Sequence, residues 1–228
     1  FDTARKLVAT AIDNFGRVDI LVNNAGGEDK RGLPWEMALE DWERTIRSHL
    51  TAAFNCIRHA SGHMKTQGWG RILNTTSRAW VETTEQPNYA AAMAGLVGLT
   101  RDVARDAGRH GITCNAYSPL AKTRRTNIPK QEAAFKAGVI SQAMWEMYAK
   151  IQPPEACAPF ATFLCSEDAA HINGQVFGMK PGEVFIYPSA VELNSIHADG
   201  EAWSHAELAD KVNRVLLKDY VNPAPKKT

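Results

Sequence analysis

The stretch Asp19-Ile-Leu-Val-Asn-Asn-Ala-Gly26 decides the fold of this chain. It overlaps a short run over residues 18–22 in which every residue except Asp19 is apolar and three are β-branched. Such a run is typical of a parallel strand covered on both faces. A tight loop with exposed backbone follows at residues 23–27. Because ligands bind beyond the carboxyl ends of the strands in an open α/β sheet, this loop is a candidate binding site.

Helical and strand-like segments alternate on both sides of that stretch, from residue 3 to residue 178. The first segment has apolar residues at helical spacing and stops at Gly16. The pattern predicts strands at residues 18–23, 70–75, 112–118 and 174–178, long helices at residues 42–66 and 88–110, and weaker helical segments at residues 129–150 and 153–164. This alternation predicts the α/β class with a doubly wound parallel sheet.

The tail of the chain differs from this pattern. Residues 184–187 predict a small strand, and Ser204 is placed to cap a helix that runs through residue 217. We therefore expect a main domain over residues 1–180 and a C-terminal extension over residues 181–228.

The composition limits the classes of partner. The chain has 228 residues, with 26 Lys and Arg against 25 Asp and Glu, so its net charge is +1. Without a basic surplus we expect no nucleic-acid partner, and without an apolar run of about 18 residues we expect no membrane span. The four cysteines have no paired spacing, so we expect free thiols in a cytoplasmic protein. His59 and His63 are spaced like metal ligands, but no third ligand is evident, so we expect no metal site.

Five segments, in this order, resemble the short-chain dehydrogenase/reductase family. They are the stretch quoted above, Gly70-Arg-Ile-Leu-Asn-Thr-Thr-Ser77, Asn88-Tyr-Ala-Ala-Ala-Met93 with the residues up to Thr100, Gly111-Ile-Thr-Cys-Asn-Ala116 and Asn173-Gly-Gln-Val-Phe-Gly178. The resemblance covers about residues 3–180. It implies a Rossmann-like fold and an oxidoreductase that interconverts a secondary alcohol and a ketone with NAD or NADP.

A narrower resemblance is to the (3R)-hydroxyacyl-CoA dehydrogenase part of the peroxisomal multifunctional β-oxidation enzyme and its bacterial relatives. His49-Leu50 stands where most of the wider family has Asn-Leu, and this branch also prefers His. The segments at residues 119–126 and 158–178 are similar to the same branch. The resemblance implies a small-molecule substrate, which would be a 3-hydroxyacyl thioester, a steroid or another bulky apolar alcohol.

The resemblance also assigns catalytic roles at the carboxyl edge of the sheet. Tyr89 would exchange a proton with the substrate oxygen, and Ser77 would hold the same oxygen by a hydrogen bond. One residue fewer than usual separates these two, so Thr76 is an alternative to Ser77. His49 would be either part of a proton relay or a packed helix residue.

Two loops are expected to face the cofactor. The first would place bare backbone against its adenosine half or against the central helix, and the second would contact its nicotinamide end. The residues concerned are Asn24, Ala25 and Gly26 in the first loop and Pro119, Leu120 and Thr123 in the second.

The glycine-rich loop Gly-x-x-x-Gly-x-Gly, which in the family holds the pyrophosphate at a helix N-terminus, does not occur in the sequence. We therefore expect a sheet that is incomplete on its N-terminal side, with two βαβ units of about 70 residues in total preceding it. The strand at residues 18–23 would then have an open edge.

Met93 departs from the family at a site residue. The family keeps a lysine here, four residues after the tyrosine and on the same helix face, where its ammonium favours the phenolate and binds the nicotinamide ribose. A thioether carries no charge and is only a weak acceptor. We therefore expect redox turnover to be lower by orders of magnitude, unless another cation such as Arg78 or Lys122 takes this place.

Three functions stay open on this reading. The leading one is the NAD(P)-dependent oxidoreductase. The alternatives are a cofactor-free lyase, hydratase or hydrolase that uses the same side chains for acid/base chemistry, and a non-catalytic family member. We also expect a homodimer or homotetramer, since Ala and Gly smooth the helices at residues 42–66 and 88–110, through which the family pairs.

Overall fold

The computed structural model describes residues 1–27, 29–123, 126 and 128–223. The chain forms a first compact unit, Phe1–Pro188, and a second that begins at Ser189. The domain division expected after residue 180 remains a prediction. Within the described ranges, no helix combines the length and the apolar character needed to cross a membrane.

The strands and helices follow the predicted alternation. The strands are β1 Ile20–Asn23, β2 Gly70–Thr75, β3 Ile112–Ser118, β4 Val176–Lys180 and β5 Glu183–Ile186. The α-helices are α1 Asp2–Phe15, α2 Leu39–Ile46, α3 Ala52–Gln67, α4 Pro87–Gly108, α5 Ile128–Lys136, α6 Gln142–Ala149, α7 Ala158–Leu164 and α8 His205–Lys211. Shorter segments are the π-helices Arg47–Thr51 and Val212–Leu216 and the 3-10 helices Arg78–Trp80 and Pro154–Cys157.

The five strands form one sheet in the order β1-β2-β3-β4-β5. β1 to β4 are parallel, and β5 is antiparallel to β4. The predicted α/β fold with a doubly wound, Rossmann-like parallel sheet is therefore confirmed. β2 and β3 have the predicted bounds, whereas β4 begins at Val176, two residues later than predicted.

Two apolar cores cover opposite faces of the sheet. Ile72 belongs to a core with residues of α1, α3 and α4, and Leu73, the next residue, belongs to a core with residues of α7. Successive residues of a strand point to opposite faces, so helices cover β2 on both sides. Cys114 lies in the first core, where burial raises the pKa of its thiol to about 12. All four cysteines are free, as expected.

β1 departs from the prediction of a strand covered on both faces. Leu21 packs against the first core, but Ile20 and Val22 are 47 % and 46 % exposed. β1 is the edge strand of the described sheet, and α7 packs on β2. The face that carries Ile20 and Val22 therefore remains open to solvent.

The long helix predicted at residues 42–66 is interrupted. α2 ends at Ile46, five residues adopt π-helical geometry, and α3 begins at Ala52. A π segment carries more residues per turn than an α-helix, so it changes the direction in which the enclosed side chains point. His49 lies in this segment and is buried.

Small residues on α3 and α4 are used within the chain. Ala53 and Ala92 are buried together in one apolar cluster. A Cβ at position 95 would lie 2.6 Å from Cδ2 of Leu50, so Gly95 lets α4 approach the π segment. These contacts explain part of the small-residue pattern that the sequence analysis assigned to an oligomer interface.

α4 is fixed on the sheet by polar contacts as well. The buried side chain of Asn74 donates to the hydroxyl of Thr100 at 2.9 Å. The amide of Asn173 bridges α4 and β3, because it donates to the carbonyl of Ala104 and accepts from the N–H of Cys114, both at 2.9 Å. These contacts fix the middle and the C-terminal half of α4 on the sheet.

We expect Gly111→Ala to lower the free energy of unfolding by about 2–4 kcal/mol. Gly111 has φ of 74°, and a Cβ there would lie 2.2 Å from the carbonyl oxygen of Gly68. Urea unfolding measures the effect. Gly98→Ala is the matched control, since no atom lies within 4 Å of its Cβ and a helical Gly→Ala change gains about 0.5–1 kcal/mol. Equal stability of the two variants would contradict this account.

Candidate active site

The parallel strands bring several predicted site residues to one edge of the sheet. β1 ends at Asn23, whose amide donates to Oδ1 of Asn74 at 2.8 Å. The hydroxyl of Thr75 donates to Oδ1 of Asn24 at 2.8 Å, which ties the first predicted cofactor loop to the end of β2. All three residues of that loop expected to face the cofactor are exposed, namely Asn24, Ala25 and Gly26. The loop is thus anchored at its start and leaves its backbone accessible.

Tyr89 lies in the first turn of α4 and is half-buried. The side chain of buried Asn88 accepts a hydrogen bond from the Tyr89 N–H at 2.8 Å and donates to the hydroxyl of Thr45 at 2.9 Å. Since Thr45 is on α2, these bonds tie the start of α4 to the helix that leads into the π segment. The sequence analysis did not single out Asn88 or Thr45 as site residues, because Asn near a helix start is a common cap.

The ring of His49 contacts both Tyr89 and the first loop. The ring centroids of His49 and Tyr89 lie 5.3 Å apart with an interplanar angle of 70°, an edge-to-face contact. A Cβ at position 26 would lie 2.6 Å from Cε1 of His49, so glycine is what allows the loop this close. The structure therefore brings three predicted site residues together.

Asp29 is a site residue that the sequence analysis missed. Its carboxylate oxygens lie 3.1 and 3.2 Å from Nε2 of His49. Asp29 follows the first loop, and its distance along the chain from His49 matches no known motif. The pairing is therefore visible only in the folded structure. The exposed fractions of the two side chains, 7 % for His49 and 1 % for Asp29, show that the pair is enclosed by protein.

Ser77 and Thr76 occupy different environments at the end of β2. Thr76 is buried, and its hydroxyl donates to the carbonyl of Met93 at 3.1 Å. Ser77 is half-buried, and its Oγ accepts from the N–H of Ala79 at 3.3 Å as the cap of the 3-10 helix. A hydroxyl has one donor and two acceptor positions, so Ser77 keeps its proton for a ligand while Thr76 does not. The geometry favours Ser77 for the predicted role.

Met93 lies one turn after Tyr89 and is only 1 % exposed. It packs in an apolar cluster with Ala53, Ala92 and Leu96, against which Tyr89 also packs. Its surroundings are therefore unsuited to a charge in the dinucleotide-free protein.

The two cations considered as replacements for a lysine are both exposed to solvent. Arg78 forms an ion pair with Glu82 in which both side chains are exposed. Lys122 is exposed in the loop after β3. Lys30, which neighbours Asp29, pairs with Asp41 at 3.0 Å, and together with Arg44 it holds the pKa of that carboxyl below its usual range.

The loop after β3 reaches the same edge of the sheet. Pro119 and Leu120 are half-buried, and Thr123 is exposed. The hydroxyl of Thr126 accepts from the N–H of Thr123 at 3.2 Å and donates to the carbonyl of Ala121, which closes a turn. The structure thus places the second predicted cofactor loop directly beyond the carboxyl end of β3.

A cavity of about 540 Å³ opens at the opposite edge of the sheet. Trp69, Arg71 and Thr113 line it at the amino ends of β2 and β3. The length of the strands separates it from Ser77, so it is not part of this site. No cluster of three or more His, Cys, Asp or Glu that could hold a metal occurs among the residues with described positions.

Comparison with known proteins identifies relatives of this chain. The family model described as Enoyl-(Acyl carrier protein) reductase matches residues 1–182. The chain is 37 % identical over 172 residues to the (2S)-[(R)-hydroxy(phenyl)methyl]succinyl-CoA dehydrogenase subunit BbsD of Thauera aromatica, a match that covers 75 % of this chain and 66 % of the relative. It is 34 % identical to the hydroxyacyl-CoA dehydrogenase ChsB1 of Mycobacterium tuberculosis, covering 96 % and 67 %.

Two further comparisons extend this picture. The peroxisomal multifunctional enzyme type 2 of Mus musculus is 35 % identical over 79 % of this chain, which spans 23 % of that enzyme. The crystal structure of a short chain dehydrogenase from Mycobacterium avium superposes with a TM-score of 0.78 and 30 % identity, covering 98 % of this chain and 72 % of that one. The chain thus spans about two thirds or less of the length of BbsD and of the mouse enzyme.

We expect Met93→Lys to lower the free energy of unfolding by about 3 kcal/mol in the absence of dinucleotide. The ammonium would replace a thioether in a closed apolar cluster. Met93→Leu is the control and should cost less than about 1.5 kcal/mol, because it nearly conserves volume and polarity. Denaturant titration of both variants gives the comparison. If Met93→Lys were as stable as Met93→Leu, the position would already be open to water.

Proposed function

The chain belongs to the short-chain dehydrogenase/reductase family, and from this we propose that it interconverts a secondary alcohol and a ketone with NAD or NADP. The position of Tyr89 carries the proposal. This phenol lies at the start of α4, where the carboxyl ends of β1 to β3 open, and touches the imidazole of His49. An open α/β sheet binds its ligand at this edge, so the phenol is placed where a proton donor can reach the ligand.

The described residues fit a dinucleotide at this edge. The first loop offers exposed backbone at Asn24, Ala25 and Gly26, and the second offers Pro119, Leu120 and the exposed Thr123. We propose that these two loops hold the cofactor, which supplies or accepts the hydride when bound. The thioether of Met93 is a poor partner for ribose hydroxyls, so the grip at the nicotinamide end depends on the loops.

Proton transfer is the task proposed for Tyr89. In alcohol oxidation its phenolate oxygen takes the proton of the substrate hydroxyl, and in ketone reduction the phenol gives that proton back. Ser77 donates a hydrogen bond to the same substrate oxygen while its own oxygen still accepts from the N–H of Ala79. The two hydroxyl-bearing side chains thus have separate roles.

The proposed substrate class is a 3-hydroxyacyl thioester or a comparably bulky apolar alcohol. Its support comes from the relatives, since the dehydrogenases named above act on hydroxyacyl-CoA or succinyl-CoA derivatives according to their names. The proposal covers both NAD and NADP. The fluorescence titration described below identifies which of the two binds.

A cofactor-free acid/base reaction is the second candidate. The enclosed, apolar setting of Met93 favours it, because nothing at that position can favour the phenolate by charge. Tyr89, Ser77 and His49 would then serve a lyase, hydratase or hydrolase reaction on the same scaffold.

We further propose a homodimer or homotetramer in the cytoplasm. Phe54 on α3 and Ala94 on α4 remain exposed, so these helices keep a free face after their contacts within the chain. The four free cysteines support a reducing compartment.

We expect Tyr89→Phe in the full-length protein to lower kcat/KM for a 3-hydroxyacyl-CoA by roughly 100-fold or more, the range of a lost general acid/base. Ser77→Ala should lower it about 100- to 1,000-fold, as for the loss of one hydrogen-bond donor to the reacting oxygen. Dinucleotide absorbance follows the reaction. Tyr220→Phe is the control, because Tyr220 is an exposed tyrosine of the second unit.

Fluorescence titration with NADH and NADPH separates the candidates. Binding of one dinucleotide together with turnover supports the redox proposal and identifies the cofactor. Absence of both, with a cofactor-free reaction that Tyr89→Phe abolishes, would replace it by the second candidate.

A further inference from the structure

The pair formed by Asp29 and His49 has a defined geometry. Nε2 of His49 faces both oxygens of the Asp29 carboxylate, at 3.1 and 3.2 Å. A carboxylate only accepts hydrogen bonds, so Nε2 carries a hydrogen that it shares between the two oxygens. The contact therefore fixes the orientation of the imidazole ring.

The imidazole is held on its other sides by the candidate site itself. Gly26 is so close that a Cβ there would lie 2.6 Å from Cε1 and 3.1 Å from Nδ1 of His49. The ring of Tyr89 meets the imidazole at an interplanar angle of 70°. Asp29, His49 and Tyr89 thus form a continuous row of contacts beside the first loop, with the imidazole in the middle.

The π segment presents His49 to this row. Residues Arg47–Thr51 leave α-helical geometry between two regular helices, and the histidine at their centre is buried. Short π segments inside α-helices occur often at functional sites. A helix that only needed an apolar contact here would have no reason to enclose a histidine with a carboxylate.

Stability alone explains the pair poorly. Burying an acidic and a basic group costs their hydration, and apolar residues of the same shape often stabilise a protein equally well. Met93, one turn along α4, provides no charge that could orient the phenol of Tyr89. The imidazole of His49, by contrast, contacts the Tyr89 ring directly.

We propose that Asp29 and His49 are positioning residues for Tyr89: the carboxylate orients the imidazole, and the imidazole holds the Tyr89 ring in place beside the first loop. The proposal rests on the proton-transfer role given to Tyr89 above. His49 does not reach the substrate, since its side chain is only 7 % exposed, and the pair acts through the phenol.

A double-mutant cycle tests this chain of contacts. Asp29→Asn and His49→Gln should each lower kcat about tenfold, the rate equivalent of 1.36 kcal/mol. KM for the dinucleotide should change less than about threefold, because the effect falls on the phenol and not on uniform binding. The double variant should resemble either single variant, since both act through one ring. Asp29→Glu should recover part of the activity that Asp29→Ala loses.

Asp41→Asn is the matched control. Asp41 is another poorly exposed carboxylate, paired with Lys30 and Arg44. This variant should lower the melting temperature while kcat keeps its value. Its effect on the melting temperature should add to that of His49→Gln. Additive effects of Asp29→Asn and His49→Gln, or a loss of kcat in Asp41→Asn as large as in Asp29→Asn, would overturn the proposal.

A second readout does not require turnover. In ring-labelled tyrosine NMR of the full-length protein, the Tyr89 signal is identified by its loss in Tyr89→Phe. Asp29→Asn alone should shift that signal. Added to His49→Gln, Asp29→Asn should cause no further shift. An unchanged signal would refute the positioning role. If the protein shows no redox turnover, the function proposed above fails, and these spectra still decide whether the pair positions Tyr89.

Discussion

The parallel pairing of β2 with β3 is the constraint on which the rest of this structure depends. Six residue pairs, from Gly70 opposite Ile112 to Thr75 opposite Tyr117, set the register of the two strands. A slip of one residue would send Ile72 and Leu73 to the wrong faces and expose both cores. α4 connects these strands, and it is bonded to both through Asn74 and Asn173. The register therefore fixes on the sheet the helix that carries Tyr89.

The site combines a frame made by the ends of regular elements with an interior that is partly polar and partly apolar. The frame consists of the loop after β1, the end of β2 and the first turn of α4, which meet at one edge. Inside it, an apolar thioether occupies the position one turn beyond the tyrosine, and the imidazole of a carboxylate–imidazole pair contacts the tyrosine ring. The Tyr89 ring thus contacts an imidazole, while the position one turn along its own helix carries no charge.

Much of the fold could be predicted from the sequence, because burial imposes a readable pattern. β2 and β3 are buried almost throughout, and both have the bounds predicted from the sequence. β1 has an equally apolar run, yet Ile20 and Val22 are exposed, since a run of side chains does not reveal whether a neighbour covers them. The π segment was missed because one irregular turn scarcely changes helical spacing.

The candidate site was predicted less completely, for a related reason. Tyr89, Ser77 and the loop residues lie next to regular elements whose ends the sequence marks. Asp29 lies in a loop, 20 residues before His49 in the chain. No spacing or motif links the two residues, so their contact is seen only in the folded structure. The preference for Ser77 over Thr76 likewise depended on which hydroxyl the Met93 carbonyl had already engaged.

The π segment has a consequence for the direction of the side chains that it carries. Five residues complete a turn that an α-helix makes with fewer, so the segment behaves as a one-residue insertion absorbed without disturbing the helices on either side. Removing one residue would let the α-helical pattern run on through residues 47–51, and the side chains on the two sides of the deletion would rotate relative to one another by about 100°. The direction of the His49 side chain thus depends on the irregular turn that contains it.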